Sequence, residues 1–215
     1  DEARGKVNPV YDWDSGRAAA GTARLREAFA TVRTEAGEFR ERVRSGEVPS
    51  NARSEEEEKL LGRISEVFGG SLSRFTIKQL LAEGFSENLQ EAVASVLAEV
   101  QKRKIVPTGD LFQGAPVIRI RDIRRTGFEW DQRDALAADV VTLQQARRLV
   151  GNMVEQEPGV PPALRGAVEE LVRSQLQPSL TYSSNETNLR RERAGAQVEP
   201  LVIFLRKGQV LLKAG

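Results

Sequence analysis

The residues of this chain that could do chemistry are few in kind. It contains no histidine and no cysteine. That removes Ser-His-Asp and Cys-His nucleophilic catalysis, imidazole acid–base chemistry, disulfides, and metal sites ligated by His or Cys. An enzyme built from this sequence would have to work with carboxylates, lysine, tyrosine or serine alone. Two carboxylate runs invite that idea, the "EEEE" of 55–58 and the pair Glu169–Glu170. The first reads as the acidic start of a helix, where the macrodipole favours negative charge. The second reads as adjacent helical residues, which point in different directions. Neither GxGxxG nor GxxxxGK[ST] occurs, so the phosphate cradles that a sequence can display are absent. No catalytic residue, no metal and no cofactor is assigned on these grounds.

Binding is the better use of the remaining side chains. Pockets combine aromatic walls with a few polar anchors. Tyr11, Trp13, Trp130 and Tyr182 fall outside the helical seams and near the expected sheet, and Arg119, Arg121 and Arg191 could supply forks for an anion. These seven are the candidate ligand-binding residues. The alternative for each aromatic is ordinary core or hairpin packing. For each arginine it is a solvent-exposed face, and for Arg191 a structural ion pair.

Composition bounds the rest. The chain has 215 residues, 29% of them charged, with Lys plus Arg at 32 against Asp plus Glu at 31. That is a globular composition, and a net charge of +1 gives no reason to expect a nucleic-acid partner. Charge is uneven only locally, acidic in "SEEEEK" at 54–59 and basic in "RIRDIRR" at 119–125. No run of 18 apolar residues occurs. The charged opening "DEAR" and the close "KAG", straight after a strand-like run, are expected to be cut ends of a longer protein.

The elements that must position these residues follow from periodicity. "VNPVY" at 7–11 reads as a short strand with Pro9 at an edge or bulge. From 17 to 45, Ala18, Thr22, Leu25, Phe29, Val32, Ala36, Phe39 and Val43 recur in steps of four and three. That is one apolar seam on a helix of about 45 Å, packed on its own domain or serving as a dimer seam. Ser54 and Glu57 read as a capping box, and "GG" at 69–70 as the stop of the helix they open. A short helix is expected at 76–83, and another at 87–103 with Ser86 as its cap. "APVIRIRDI" at 115–123 alternates and is β-branched, so it reads as a strand; "RRTG" would turn it and "FEW" at 128–130 return. Thr142 and Gln145 form a second capping box, and "PGVPP" at 158–162 links to a helix that Pro178 closes. Ser184 or Asn185 caps a helix to about 196. "VEPLVIFL" at 198–205 reads as a buried strand with "QVLLKAG" as its hairpin partner. The fold class is therefore α+β, predominantly helical, with a small sheet from both termini and the middle. The chain reads as a single domain, 1–215, with 17–104 as a candidate helical subdomain.

The two ends carry one element twice. Ala3, Val7 and Pro9 in "DEARGKVNPVYDWD" have the spacing of Ala194, Val198 and Pro200. The C-terminal run from 178 to 215 resembles the end of the extracytoplasmic domain of seven-transmembrane HD-domain receptors, a family that includes membrane phosphodiesterases for cyclic di-AMP. Its pattern falls on Pro178, Leu180, Tyr182, Thr187, Arg191, Ala194, Val198, Pro200, Lys207, Gly208 and Gly215, with Ser179 standing where the pattern has Asn. The N-terminal run is similar to the family's opening element through Ala3, Val7, Pro9, Val10, Tyr11 and Asp12. The repeated helix–strand elements are thus 1–12 and 185–205, and the middle matches loosely, through "VIRIRDI" and "DVVTLQQARRLV".

The resemblance implies a domain outside the cytoplasm, tethered by a membrane helix before residue 1 and a seven-helix bundle after Gly215. It implies a non-catalytic sensory role over a separate cytoplasmic HD phosphodiesterase, whose His-Asp motif this chain cannot contain. The ligand expected is a small molecule, a peptide or cell-wall material. The alternative is a protein-interaction or homodimerisation module that uses the long heptad-patterned helix.

Overall fold

The structure, a computed structural model, describes residues 2–108, 115–124 and 133–197. The chain opens with a four-residue helix α1 (Glu2–Gly5) and strand β1 (Val10–Trp13). Four helices follow: α2 (Arg17–Arg44), α3 (Arg53–Val67), α4 (Arg74–Ala82) and α5 (Glu87–Gln101). Then come β2 (Ile105–Val106), β3 (Val117–Asp122), β4 (Arg133–Leu136) and β5 (Val141–Thr142). The described chain closes with α6 (Leu143–Gln156), α7 (Arg165–Gln175), β6 (Leu180–Tyr182) and α8 (Ser184–Ala196). This is the α+β class that the sequence indicates.

The long helix uses its seam inside the chain. Leu25, Phe29, Val32 and Ala36 are buried, facing α3 and α5. Fully burying such side chains contributes roughly 1.5–3 kcal/mol each for the larger ones. Phe29 meets Phe68 edge-on at 5.8 Å and Phe85 at 5.3 Å between ring centroids. Phe85 takes φ 50°, a left-handed backbone that a bulky residue adopts only when its surroundings enforce it. Here the ring is wholly buried between two others, and its carbonyl accepts from Arg33 Nη1 at 3.0 Å.

Local signals place most helix ends. Ser86 accepts from the Leu89 N–H at 3.3 Å and opens α5. Thr142 and Gln145 form the reciprocal capping box of α6. Gly69 and Gly70, at φ 83° and 74°, end α3 as glycines at a helix C-terminus do. The capping box expected at Ser54 does not form. Helix α3 starts two residues earlier than a Ser54 cap implies, at Arg53, with Ala52 as its cap. A turn in which the Ala52 N–H bonds to the Pro49 carbonyl at 2.9 Å already feeds the helix, so Ser54 lies within the first turn.

Four strands make one sheet in the order β4-β3-β1-β6, with β1 parallel to β3 and the other neighbours antiparallel. Strand β1 is central, so it starts after Pro9 rather than through it, because a proline has no N–H for the ladder. The Pro9 carbonyl still accepts from the Arg119 N–H at 2.9 Å. Strands β2 and β5 form a separate two-stranded parallel ladder that the sequence reading missed. Two residues are too few to show a period. The strand expected at 198–205, its hairpin partner, the "FEW" stretch and all of "RRTG" after Arg124 lie outside the described residues.

Two apolar clusters result. The larger is built from α2 to α7 and contains the three phenylalanines. The smaller lies on one face of the sheet, around Tyr11, Ile118, Ile120, Val106, Val140 and Leu180.

Candidate functional site

The sheet has two faces, and the candidate residues divide between them. Pairing of Tyr11 with Ile120 and of Trp13 with Asp122 puts those four on the inner face, toward the smaller apolar cluster. Pairing of Asp12 with Arg121 and of Arg119 with Asp134 puts those four on the outer face.

The outer face is an ion-pair network under α8. Arg121 donates to Asp12 at 2.6 Å and reaches Glu186 of α8 at 3.6 Å. Glu186 also accepts from Arg190 at 2.7 Å. Arg119 holds Asp134 with two parallel bonds, 2.9 and 3.1 Å, which keep the Asp134 carboxyl below the usual carboxylate range. Beside this pair lies a polar cleft of about 310 Å³, lined by Lys6, Val7, Asn8, Arg119 and Arg190. The guanidinium forks expected of Arg119 and Arg121 thus face protein carboxylates. Arg191 is half-buried on α8.

Helix α8 is tied to the first strand at its start and to the first helix at its end. Thr187 is wholly buried, and its Oγ1 accepts from the Val10 N–H at 3.0 Å. Further along, a Cβ on Gly195 would sit 2.6 Å from Arg4 Nε. The segments 4–10 and 187–195 therefore run antiparallel, with Arg4 and Gly195 side by side.

Ser179 explains its own presence. It is buried, its hydroxyl accepts from the Ile105 N–H at 3.0 Å and donates to the Arg103 carbonyl at 3.3 Å. One donor and one acceptor at the end of a short side chain are also what an Asn amide supplies.

The inner face carries the aromatic candidates. Tyr11 is fully buried and lies across from Tyr182, with ring centroids 5.6 Å apart. Burial, with the Tyr182 phenol beside it, pushes the Tyr11 pKa up to about 12. The two rings pack against each other on this face. Trp13 is different. It forms a wall of a cleft of about 410 Å³, between the sheet and the β2–β5 ladder, and Lys104 Nζ stands 5.5 Å from its ring centroid. Ile120, Ala135 and Leu136 supply the cleft's apolar surface, and Asp122 and Asp139 supply carboxylates. Asp122 accepts from Ser15 Oγ at 2.9 Å and from the Arg124 N–H at 3.0 Å. Trp130 lies outside the described residues.

Sequence reasoning missed Lys104, Asp122 and Asp139. One signal for Asp122 was legible. It continues the Ile118, Ile120 alternation, so a carboxylate occupies a position whose neighbours face the core.

The model of the family described as 7TM-HD extracellular matches residues 1–215, the whole chain. The chain belongs to the extracellular-domain family of seven-transmembrane HD receptors. No curated protein and no solved structure matches it. Membership of an extracellular-domain family implies that this 7TM-HD extracellular domain lies outside the cytoplasm. Among its described residues no helix is long and apolar enough to cross a membrane. The Thr, Tyr and Pro positions of its C-terminal run have structural work: Thr187 satisfies Val10, Tyr182 packs on Tyr11, and the Pro178 carbonyl accepts from Arg17.

Proposed function

We propose that this 7TM-HD extracellular domain is a non-catalytic sensory module. It biases a cytoplasmic HD-type cyclic-dinucleotide phosphodiesterase of the same membrane receptor, cyclic di-AMP being the substrate that the resemblance implies. The observation that carries the reading is the antiparallel placement of α1 against α8, with Arg4 over Gly195 and Thr187 bonded to Val10. A change within the domain that shifts α8 against the sheet acts on α1 at the same time. A ligand shifts such an equilibrium only by its differential affinity for the two states. The alternative, a partner-binding long helix, has less to offer, since Leu25, Phe29, Val32 and Ala36 already pack inside the chain.

The test is a clamp between α1 and α8. The domain has no cysteine, so R4C with G195C introduces the only pair within it. Arg4 Cγ, where a cysteine sulfur would stand, lies 3.4 Å from the position of a residue-195 Cβ, within the reach of a disulfide. In the full-length receptor the disulfide is expected to form without loss of the fold and to change the rate of cyclic-dinucleotide hydrolysis, with reduction restoring it. A disulfide that forms and leaves hydrolysis unaltered overturns the reading.

A further inference from the structure

We infer that α8, with α1 beside it, is a detachable strap with Glu186 as its latch. The pair lifts off the sheet as a unit while the sheet and the helical core stay folded. The inference rests on the sensory reading and names the element that moves.

The strap lies outside both apolar clusters. Among the described residues, neither α1 nor α8 contributes a side chain to them. Thr187 alone of the α8 residues is buried, and Leu189, the largest apolar side chain of the helix, is 40% exposed. Helix α7, with 11 residues to the 13 of α8, buries Ala167, Val168, Leu171 and Val172. Elements with few buried apolar contacts open at a lower free energy than the core does.

The surface beneath the strap is polar as well. Val10 shares the outer face with Arg119, and beside them Asp12 pairs with Arg121. Glu186 joins the helix to this face. It accepts from Arg190 of its own helix at 2.7 Å and stands 3.6 Å from Arg121, which donates to Asp12 at 2.6 Å. These four side chains are 18–24% exposed. When the strap lifts, they exchange ion pairs for water, and part-exposed pairs are worth little more than the hydration they give up. The hinge is short, since β6 ends at Tyr182 and α8 begins at Ser184. Two backbone groups report the two states. The Val10 N–H bonds only to Thr187 of the strap, at 3.0 Å, whereas the Arg119 N–H bonds within the sheet, to the Pro9 carbonyl at 2.9 Å.

The experiment is residue-resolved amide hydrogen exchange of the chain, at about 0.1 M and about 1 M NaCl, between which the screening length falls from about 10 to about 3 Å. Val10 and the α8 amides are expected to exchange through one opening, at least about tenfold faster than Arg119 and the amides of α5 and α7. The higher salt should speed that opening about two- to threefold and leave α5 and α7 unaltered. E186Q should speed it about tenfold, the loss of two part-exposed charge-assisted contacts. E91Q, which breaks the paired bonds from Arg26 between α2 and α5, should leave Val10 unchanged. With the R4C/G195C disulfide closed the opening should persist, because α1 and α8 leave together. Val10 exchanging only with the core, Arg119 opening along with Val10, or α8 exchanging while Val10 stays protected each overturns the inference. So does an opening insensitive to salt, one insensitive to E186Q, or one that the disulfide abolishes. The parent's own exchange decides the matter even if E186Q does not fold. A working clamp in the receptor with no separate opening overturns the strap alone; an opening strap with a silent clamp overturns the sensory reading alone.

Discussion

The Val10 backbone N–H donates to the Thr187 hydroxyl at 3.0 Å, a buried bond between residues 177 apart in sequence. Val10 opens a central strand and Thr187 sits in the first turns of α8. The Thr187 hydroxyl in turn donates to the Ser183 carbonyl at 2.8 Å, so its one proton is used and its lone pair is left for Val10. The bond fixes which part of α8 crosses which part of the sheet.

Thr187→Val keeps the shape and removes the acceptor. A buried N–H left without a partner costs about 1–3 kcal/mol. Thr187→Ser is expected to retain most of the stability. Urea unfolding of both variants against the parent measures the difference, and equal losses in the two would assign the role to packing.

Ser179 makes the corresponding junction on the far side of β1. Ser179→Ala strands the Ile105 N–H, which is buried, and again about 1–3 kcal/mol is expected to be lost. Ser179→Asn, the residue of the family pattern, should lose less. The comparison separates hydrogen bonding from fit, because Asn is larger than Ser while Ala is smaller.

Glu170 fastens α7 to the start of α4. It accepts from Ser73 Oγ at 2.9 Å, from the Ser73 N–H and from Thr76 Oγ1. Burial raises its carboxyl pKa, but the bonds from Thr76 and Ser73 outweigh burial and hold it below the ordinary value. A lowered folded-state pKa means that stability is present above the unfolded value of about 4.3 and is lost as pH falls through the folded one. The parent is therefore expected to exceed Glu170→Gln in stability at pH 7, with the gap closing on acidification below about pH 4. A gap that is independent of pH from 7 to 3 would contradict this origin.

Tyr11 titrates in the opposite sense. Its pKa is raised to about 12 by burial and by the neighbouring Tyr182. A raised folded-state pKa gives stability that is complete below the unfolded value of about 10 and is lost as pH rises toward 12. Absorbance at the tyrosinate band is expected to show a late ionisation that Tyr11→Phe removes, and the variant should lose less stability than the parent between pH 10 and 12.

Some of this architecture is decided within a few residues of itself. The seam from Ala18 to Val43 demands a long helix wherever it is placed, because only a helical period brings those positions to one side. Thr142 with Gln145, Ser86 and the pair Gly69–Gly70 specify helix ends through groups one turn away, and the structure places an end at each. Ser54 shows the limit of such local signals, since the turn from Pro49 to Ala52 starts its helix first. The doubled Ala-Val-Pro element was legible as sequence; the bond that makes its Thr187 useful was not, because the donor is a backbone group at the other end of the chain.

The tertiary structure alone decided the sheet and its clefts. Nothing near Pro9 says that β1 is central, which is what moves the strand past the proline. Trp13 and Asp122 end strands β1 and β3, Lys104 and Asp139 lie in two other segments, and the four line one cleft because β1 pairs with β3. Helices record their own burial in their period, since each turn repeats the same environment. A cleft is formed by chain segments that the sequence does not order with respect to one another, so its charge and shape exist only once the strands have paired.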